Sequence, residues 1–240
     1  MNRKTETIYN GYRRIDFTLN NYVGSVIFPV KDAISSLWIW RAEFLGDFEK
    51  ADMELVKRGW HLAYYKISDM YGCPEAIELM KRFHDYIVKE FKLHNKASIF
   101  GFSRGGLYAV NYAVKYPNKV SSLYLDAPVI DLQSWPKSKS SIKNWKDCLA
   151  CYGFNEVEAK DYSLTQLDRA RILAENKTPI LVVVGDSDST VPYEENAKPF
   201  INEYLKTHND IQIIIKEGCA HHPHSLEDVT PIVEFITKNS

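Results

Sequence analysis

Ser103 stands at the centre of the pentapeptide Gly101-Phe-Ser-Arg-Gly105. The apolar run Ala97-Ser-Ile-Phe100 leads into it, and helix formers run unbroken from Leu107 to Tyr116 after it. Strand, sharp turn and helix in that order are the setting of a nucleophile elbow. Glycines on either side of the serine let the turn close where a Cβ would meet the neighbouring strand or helix. The serine is then forced out at the tip. The helix behind it turns unpaired N–H groups and the positive end of its dipole toward whatever sits on Ser103 Oγ. A Gly/Ser cluster is often only a turn, but the flanking strand and helix favour the chemical reading here.

A serine hydroxyl needs a base within hydrogen-bond reach and an acid to orient that base. Gly185-Asp-Ser-Asp188 and Gly218-Cys-Ala-His221 each follow an apolar run that reads as a strand, and the order Ser103, Asp188, His221 suits a nucleophile–acid–base set. Asp186 competes with Asp188 but lies close enough to Gly185 to close the turn by itself. Asp126, at the end of an earlier strand, is the outside candidate, with a structural carboxylate as its plainer role. Of His221, His222 and His224, the first is nearest the strand end and takes the role of base. A zinc site is not expected, because neighbouring histidines point apart in regular backbone. Cys148-x-x-Cys151 lies outside a thioredoxin-like setting and reads as buried or partly buried thiols.

An oxyanion hole needs two donors. The N–H of Arg104 follows the nucleophile, and the second donor is expected from the loop after the third strand, at Arg41 or Ala42. Trp40, Arg41, Arg104 and Trp135 are substrate-binding candidates. Arginines there would clamp a carboxylate and tryptophans would offer flat apolar faces; internal salt bridges with Glu43 or Asp126 are the equal alternative for the arginines.

These residues need a scaffold that brings distant loops to one rim. Strand patterns at 12–19, 25–30, 37–40, 60–66, 97–100, 120–125, 179–184 and 211–216 give about eight strands. Helical periodicity at 47–58, 74–91, 107–116, 193–205 and 231–236 covers them, with Thr230 as a candidate N-cap of the last. The alternation implies a mostly parallel sheet flanked by helices in one domain over residues 1–240. Residues 130–175 break the rhythm and read as a small helical lid inserted in that domain. With 30 Lys+Arg against 31 Asp+Glu and no basic tract, nucleic acid is a poor partner. No apolar stretch is long enough to span a membrane, and the polar start reads as cytoplasmic, although a removed signal peptide would leave no trace. Four cysteines are too few for a disulfide framework. Oligomeric state is not legible.

With these residues in view the chain resembles the α/β-hydrolase superfamily from the third strand to the final helix. More narrowly, it is similar to a group of bacterial esterase-like serine hydrolases, through Trp40-Arg-Ala-Glu-Phe44, Gly101-Phe-Ser-Arg-Gly-Gly-Leu107, Asp126-Ala-Pro128 with Ser134-Trp-Pro136, Val191-Pro-Tyr-Glu-Glu-Asn196 and His221-His-Pro-His-Ser-Leu226. The resemblance implies the α/β-hydrolase fold and, as substrate, a small ester of a sugar or of a plant or microbial glycan. Trp40-Arg41 stands where the superfamily commonly has His-Gly, which leaves the second oxyanion donor open. The expected chemistry is acyl transfer through a covalent acyl-enzyme on Ser103, with neither metal nor organic cofactor. A peptidase on the same triad and a non-catalytic binding protein are the rivals.

Overall fold

The computed structural model describes residues 4–30, 36–160, 162 and 164–240. Nine strands form one sheet in the order β1-β2-β3-β5-β4-β6-β7-β8-β9. β1 (Lys4–Tyr9), β2 (Tyr12–Leu19) and β3 (Tyr22–Ile27) are antiparallel hairpins, and β3 joins β5 (His61–Tyr65) antiparallel. From β5 onward β4 (Trp38–Arg41), β6 (Ala97–Phe102), β7 (Val120–Asp126), β8 (Ile180–Gly185) and β9 (Ile211–Lys216) run parallel. This is the α/β-hydrolase fold. Parallel strands all end at the same sheet edge, so the loops after β4, β6, β7, β8 and β9 gather there.

The sequence periodicity missed β1, whose Lys4-Thr-Glu-Thr-Ile-Tyr9 is largely exposed and shows no apolar alternation. Its signal was the turn: Asn10 and Gly11 both have positive φ, 49° and 83°. The Asn20–Asn21 turn, with φ of 48° and 67°, does the same between β2 and β3, so β3 begins at Tyr22 rather than Ser25.

Helices cover both faces. α2 (Pro74–Phe91), α3 (Gly105–Lys115), α6 (Gln166–Glu175) and α7 (Ala197–Tyr204) bury one apolar cluster, and α1 (Lys50–Lys57) and α8 (Thr230–Lys238) bury the other. β6 and β8 are buried at every position, as strands covered on both sides must be. Thr230 is the first residue of α8 and not its cap; the Asp228 side chain accepts the Thr230 N–H at 2.9 Å instead. Within the stretch 130–175, α6 belongs to the sheet's cover, with Ala170, Leu173 and Ala174 in the core. α4 (Ile142–Tyr152) and α5 (Glu156–Lys160) are the added pieces, and residues 161 and 163 of this stretch lie outside the described residues. Tyr152 anchors α4 by donating to Tyr71 O at 3.0 Å.

Arg41 ends β4 inside the protein. Its guanidinium is paired with Asp52 of α1, with Nε 3.0 Å from Oδ1, and lies 3.8 Å from the centroid of the Phe102 ring. Both side chains are essentially inaccessible. Breaking such a pair leaves one buried charge unpaired, at a cost of about 3–5 kcal/mol. Chemical denaturation of Asp52→Ala is expected to show a loss of that order, whereas Arg41→Met with Asp52→Leu is expected to lose far less. Equal losses would mean that the pair acts through shape and not charge.

Candidate active site

β6 delivers Ser103 at the tip of a turn with φ +49°, a strained value for a residue with a Cβ. The turn is pinned from below: Ser103 N–H donates to Asp126 O at 2.9 Å, and Ser103 O accepts from Gly106 N at 2.9 Å and Val129 N at 2.8 Å. A Cβ at Gly101 would lie 2.9 Å from Ala109 Cβ. At Gly106, outside the pentapeptide, it would lie 2.7 Å from Pro128 Cβ and 2.8 Å from Val129 O.

The structure brings Ser103, His221 and Asp188 into a line. Ser103 Oγ is 3.0 Å from His221 Nε2, and His221 Nδ1 is 2.7 Å from Asp188 Oδ2. The other Asp188 oxygen accepts from Thr190 N and Val191 N, each at 2.8 Å. Burial alone would raise the Asp188 carboxyl, but the His221 hydrogen bond and the two backbone donors outweigh it and hold it below the usual range. Asp188 therefore stays ionised where an imidazolium would need it. Asp186 points elsewhere: its Oδ1 accepts Gly218 N at 2.8 Å and so ties the β8 loop to the β9 loop.

Asp126 is paired with a different histidine. His224 Nδ1 is 2.7 Å from Asp126 Oδ1, and the other carboxylate oxygen accepts from Ser225 N at 2.9 Å and the Tyr124 hydroxyl at 2.7 Å. A second Asp–His pair thus underlies the first and holds the loop that carries His221. The sequence offered no motif for it.

Four expectations need correction. Trp40 is 1% exposed, stacked among Trp38, Phe83 and Tyr112, so it is core and cannot touch substrate. Arg41 is spent on Asp52. Neither Arg41 nor Ala42 can supply the second oxyanion donor: Arg41 pairs with Tyr64 and Phe100 in the sheet, and Ala42 N–H donates to Phe100 O at 3.0 Å. The strand runs one residue further than its sequence pattern suggests, to Arg41, and the Ala42 bond carries the sheet contact up to Glu43. The fourth correction concerns the histidines, whose ligand atoms converge because the loop after β9 is not regular backbone.

The Arg104 guanidinium is held by Asp69 at 2.6 Å and Glu43 at 3.6 Å, over the Phe44 ring, as in the internal salt-bridge reading. Its backbone N–H and that of Phe44, which has φ +58°, donate to no acceptor among the described residues. Glu43, buried and with its carboxyl pushed up by burial, thereby links the loop after β4 to the elbow. Trp135 packs on Tyr71, with ring centroids 6.0 Å apart, and does not line the cavity at Ser103. That cavity, about 200 Å³, is walled by Phe44, Asp47, Phe48, Phe102, His222 and His224 beside Ser103 and His221.

The sequence pattern of the prolyl oligopeptidase family matches residues 62–240, three quarters of the chain and every residue of this line. The chain belongs to the prolyl oligopeptidase family. Its fold is that of the α/β-hydrolases. Lipase 1 of Psychrobacter immobilis is 27% identical over 69% of this chain and 64% of that protein, so this member of the family spans less than two thirds of that relative. Two solved structures share the fold. Dipeptidyl peptidase 4 of Porphyromonas gingivalis has a TM-score of 0.73 at 13% identity, covering all of this chain and 36% of that one. An esterase from Pyrococcus furiosus has a TM-score of 0.61 at 14% identity, covering 99% and 90%. No helix among the described residues is long and apolar enough to cross a membrane.

The two Asp–His pairs separate by substitution. Asp188→Asn is expected to lower kcat on an activated ester by about 10⁴-fold, because the imidazole loses its tautomer partner. Asp126→Asn is expected to keep kcat within about tenfold while lowering stability by about 1.5–3 kcal/mol. The reverse ranking in steady-state kinetics would make Asp126 the acid.

Proposed function

We propose that this chain hydrolyses carboxylic esters of short acyl groups through an acyl-enzyme on Ser103. The observation that carries the reading is the unbroken line from Ser103 Oγ through His221 to Asp188, opening into a small cavity with aromatic walls. His221 Nε2 accepts the serine proton as Oγ bonds to the carbonyl carbon. The carbonyl oxygen, now an alkoxide, receives the N–H groups of Arg104 and Phe44. Collapse breaks the C–O bond to the alcohol, and the imidazolium returns the proton to the leaving alkoxide. Water then repeats the sequence on the acyl-enzyme, with His221 as base again.

Cavity size supports an ester with a small acyl half. At about 200 Å³ it falls below the roughly 300–1,000 Å³ that holds drug-sized ligands. Three phenylalanine rings, Phe44, Phe48 and Phe102, give it an apolar wall suited to a short acyl chain. The lipase relative supports ester chemistry too. A sugar or glycan as the alcohol half is the reading that the sequence resemblance favours.

Turnover of p-nitrophenyl acetate, acetylated sugars and dipeptidyl p-nitroanilides separates ester from amide chemistry. The short esters are expected to be cleaved, the anilides left intact, and Ser103→Ala to abolish ester turnover and labelling by a fluorophosphonate. Preferential cleavage of the anilides would make the chain a peptidase, and full turnover by Ser103→Ala would remove Ser103 from the chemistry.

A further inference from the structure

We propose that His221, His222 and His224 form a binding site for a divalent transition-metal ion such as Zn²⁺, and that the ion and Ser103 compete for the same imidazole. The three rings each offer a ligand nitrogen, and these atoms lie within 4.8 Å of one another. Ring centroids are 4.8 Å apart for His221–His224 and His222–His224, and 5.0 Å for His221–His222.

Two of the rings are already oriented as metal ligands are. A metal-bound imidazole nearly always gives its other nitrogen to a carboxylate, which fixes the ring and raises the basicity of the free nitrogen. His221 does this with Asp188 and His224 with Asp126, both at 2.7 Å, and Asp126 is itself fixed by Tyr124 and Ser225. In each case Nε2 is the nitrogen left over. Phe102 and Phe48 pack against His224, with ring centroids at 5.5 and 5.4 Å, and limit its movement.

His222 is the adjustable member. It is exposed, its ring lies parallel to Phe48 at 5.8 Å, and no hydrogen bond to its ring nitrogens is found among the described residues. Zinc at about 2.0–2.1 Å from three nitrogens sets them about 3.3 Å apart, inside the 4.8 Å that bounds them here, so binding turns His222 inward and draws His221 and His224 together on the loop they share. Imidazole suits Zn²⁺, Cu²⁺ and Ni²⁺. Water would complete the tetrahedron.

The consequence follows from one lone pair. His221 Nε2 is the atom 3.0 Å from Ser103 Oγ, and a nitrogen that ligates a metal cannot also accept the serine proton. The entering aqua ion gives up one of its own waters for each imidazole nitrogen it gains, and the loaded protein loses its general base until a chelator removes the ion. Binding stands apart from the proposed esterase activity; inhibition rests on it.

Two measurements keep the halves separate. Co²⁺ titrated into Ser103→Ala is expected to give the visible absorption of a tetrahedral site, without a sulfur-to-cobalt charge-transfer band. Adding His222→Ala is expected to abolish that signal, and adding Asp126→Asn to weaken binding by about 10–100-fold. No such absorption, unchanged affinity in His222→Ala, or a sulfur band pointing to the cysteines would each overturn the site. In ester turnover by the unsubstituted chain, Zn²⁺ is expected to inhibit and EDTA to restore the rate. His222→Ala, scaled to its own metal-free rate, is expected to need at least about ten times more Zn²⁺ for half inhibition. Equal sensitivity would overturn the competition. Should the chain turn over no ester, the esterase reading fails and the cobalt titration still decides the site.

Discussion

The loops after β8 and β9 must lie against one another for anything at this rim to work. A Cβ at Gly185 would fall 2.1 Å from Cys219 O, so the approach is tolerated only because that residue is glycine. Ser187 N then donates to Cys219 O at 3.0 Å, and Asp186 receives Gly218 N at 2.8 Å. One close approach, one backbone hydrogen bond and one side-chain-to-backbone bond thus set the distance between the loop that carries the carboxylate and the loop that carries the imidazole. The Asp188–His221 hydrogen bond is short because this crossing is fixed, and the imidazole meets Ser103 because Asp126 holds the far end of the same loop through His224 and Ser225.

Charged side chains near the rim serve this architecture. Arg41 and Asp52 lock β4 to α1 beneath the cleft, and Arg104 joins Glu43 and Asp69 across the mouth of the elbow. The second of these connects the loop after β4 to the elbow, the two segments that supply the oxyanion donors in the proposed reaction. An oxyanion hole made of backbone is only as well aimed as the loops that bear it, and here an ion pair does the aiming. An arginine beside a nucleophile invites a substrate role, yet Arg41 is buried against Asp52 and the partly exposed Arg104 is paired with Glu43 and Asp69.

Ser103, Asp188 and His221 were legible in the sequence because each follows a strand that reads clearly, and parallel strands end at one edge by necessity. Gly101 marked the close approach of Ala109. What stayed hidden depended on a boundary or on a contact distant in sequence. β4 continues one residue past its apolar pattern and Ala42 N–H still bonds Phe100 O, so neither Arg41 nor Ala42 is left as a loop donor. Ninety-eight residues separate Asp126 from His224, and no spacing rule links a strand-end aspartate to the third of three nearby histidines. β1 was lost to its exposed, charged face, although Asn10-Gly11 carried the hairpin signal. Divergence of the histidines holds for regular backbone, and the chain after β9 folds back on itself instead.

A crystal structure of the chain after reaction with a small phosphonofluoridate addresses the central claim most directly, because the tetrahedral phosphorus places an oxygen where the oxyanion would sit. Phosphorus bonded to Ser103 Oγ is expected, with its free oxygen within about 2.7–3.1 Å of the N–H groups of Arg104 and Phe44 and His221 still bonded to Asp188. Phosphorus on another residue, or that oxygen turned to solvent with both N–H groups unused, would contradict the account.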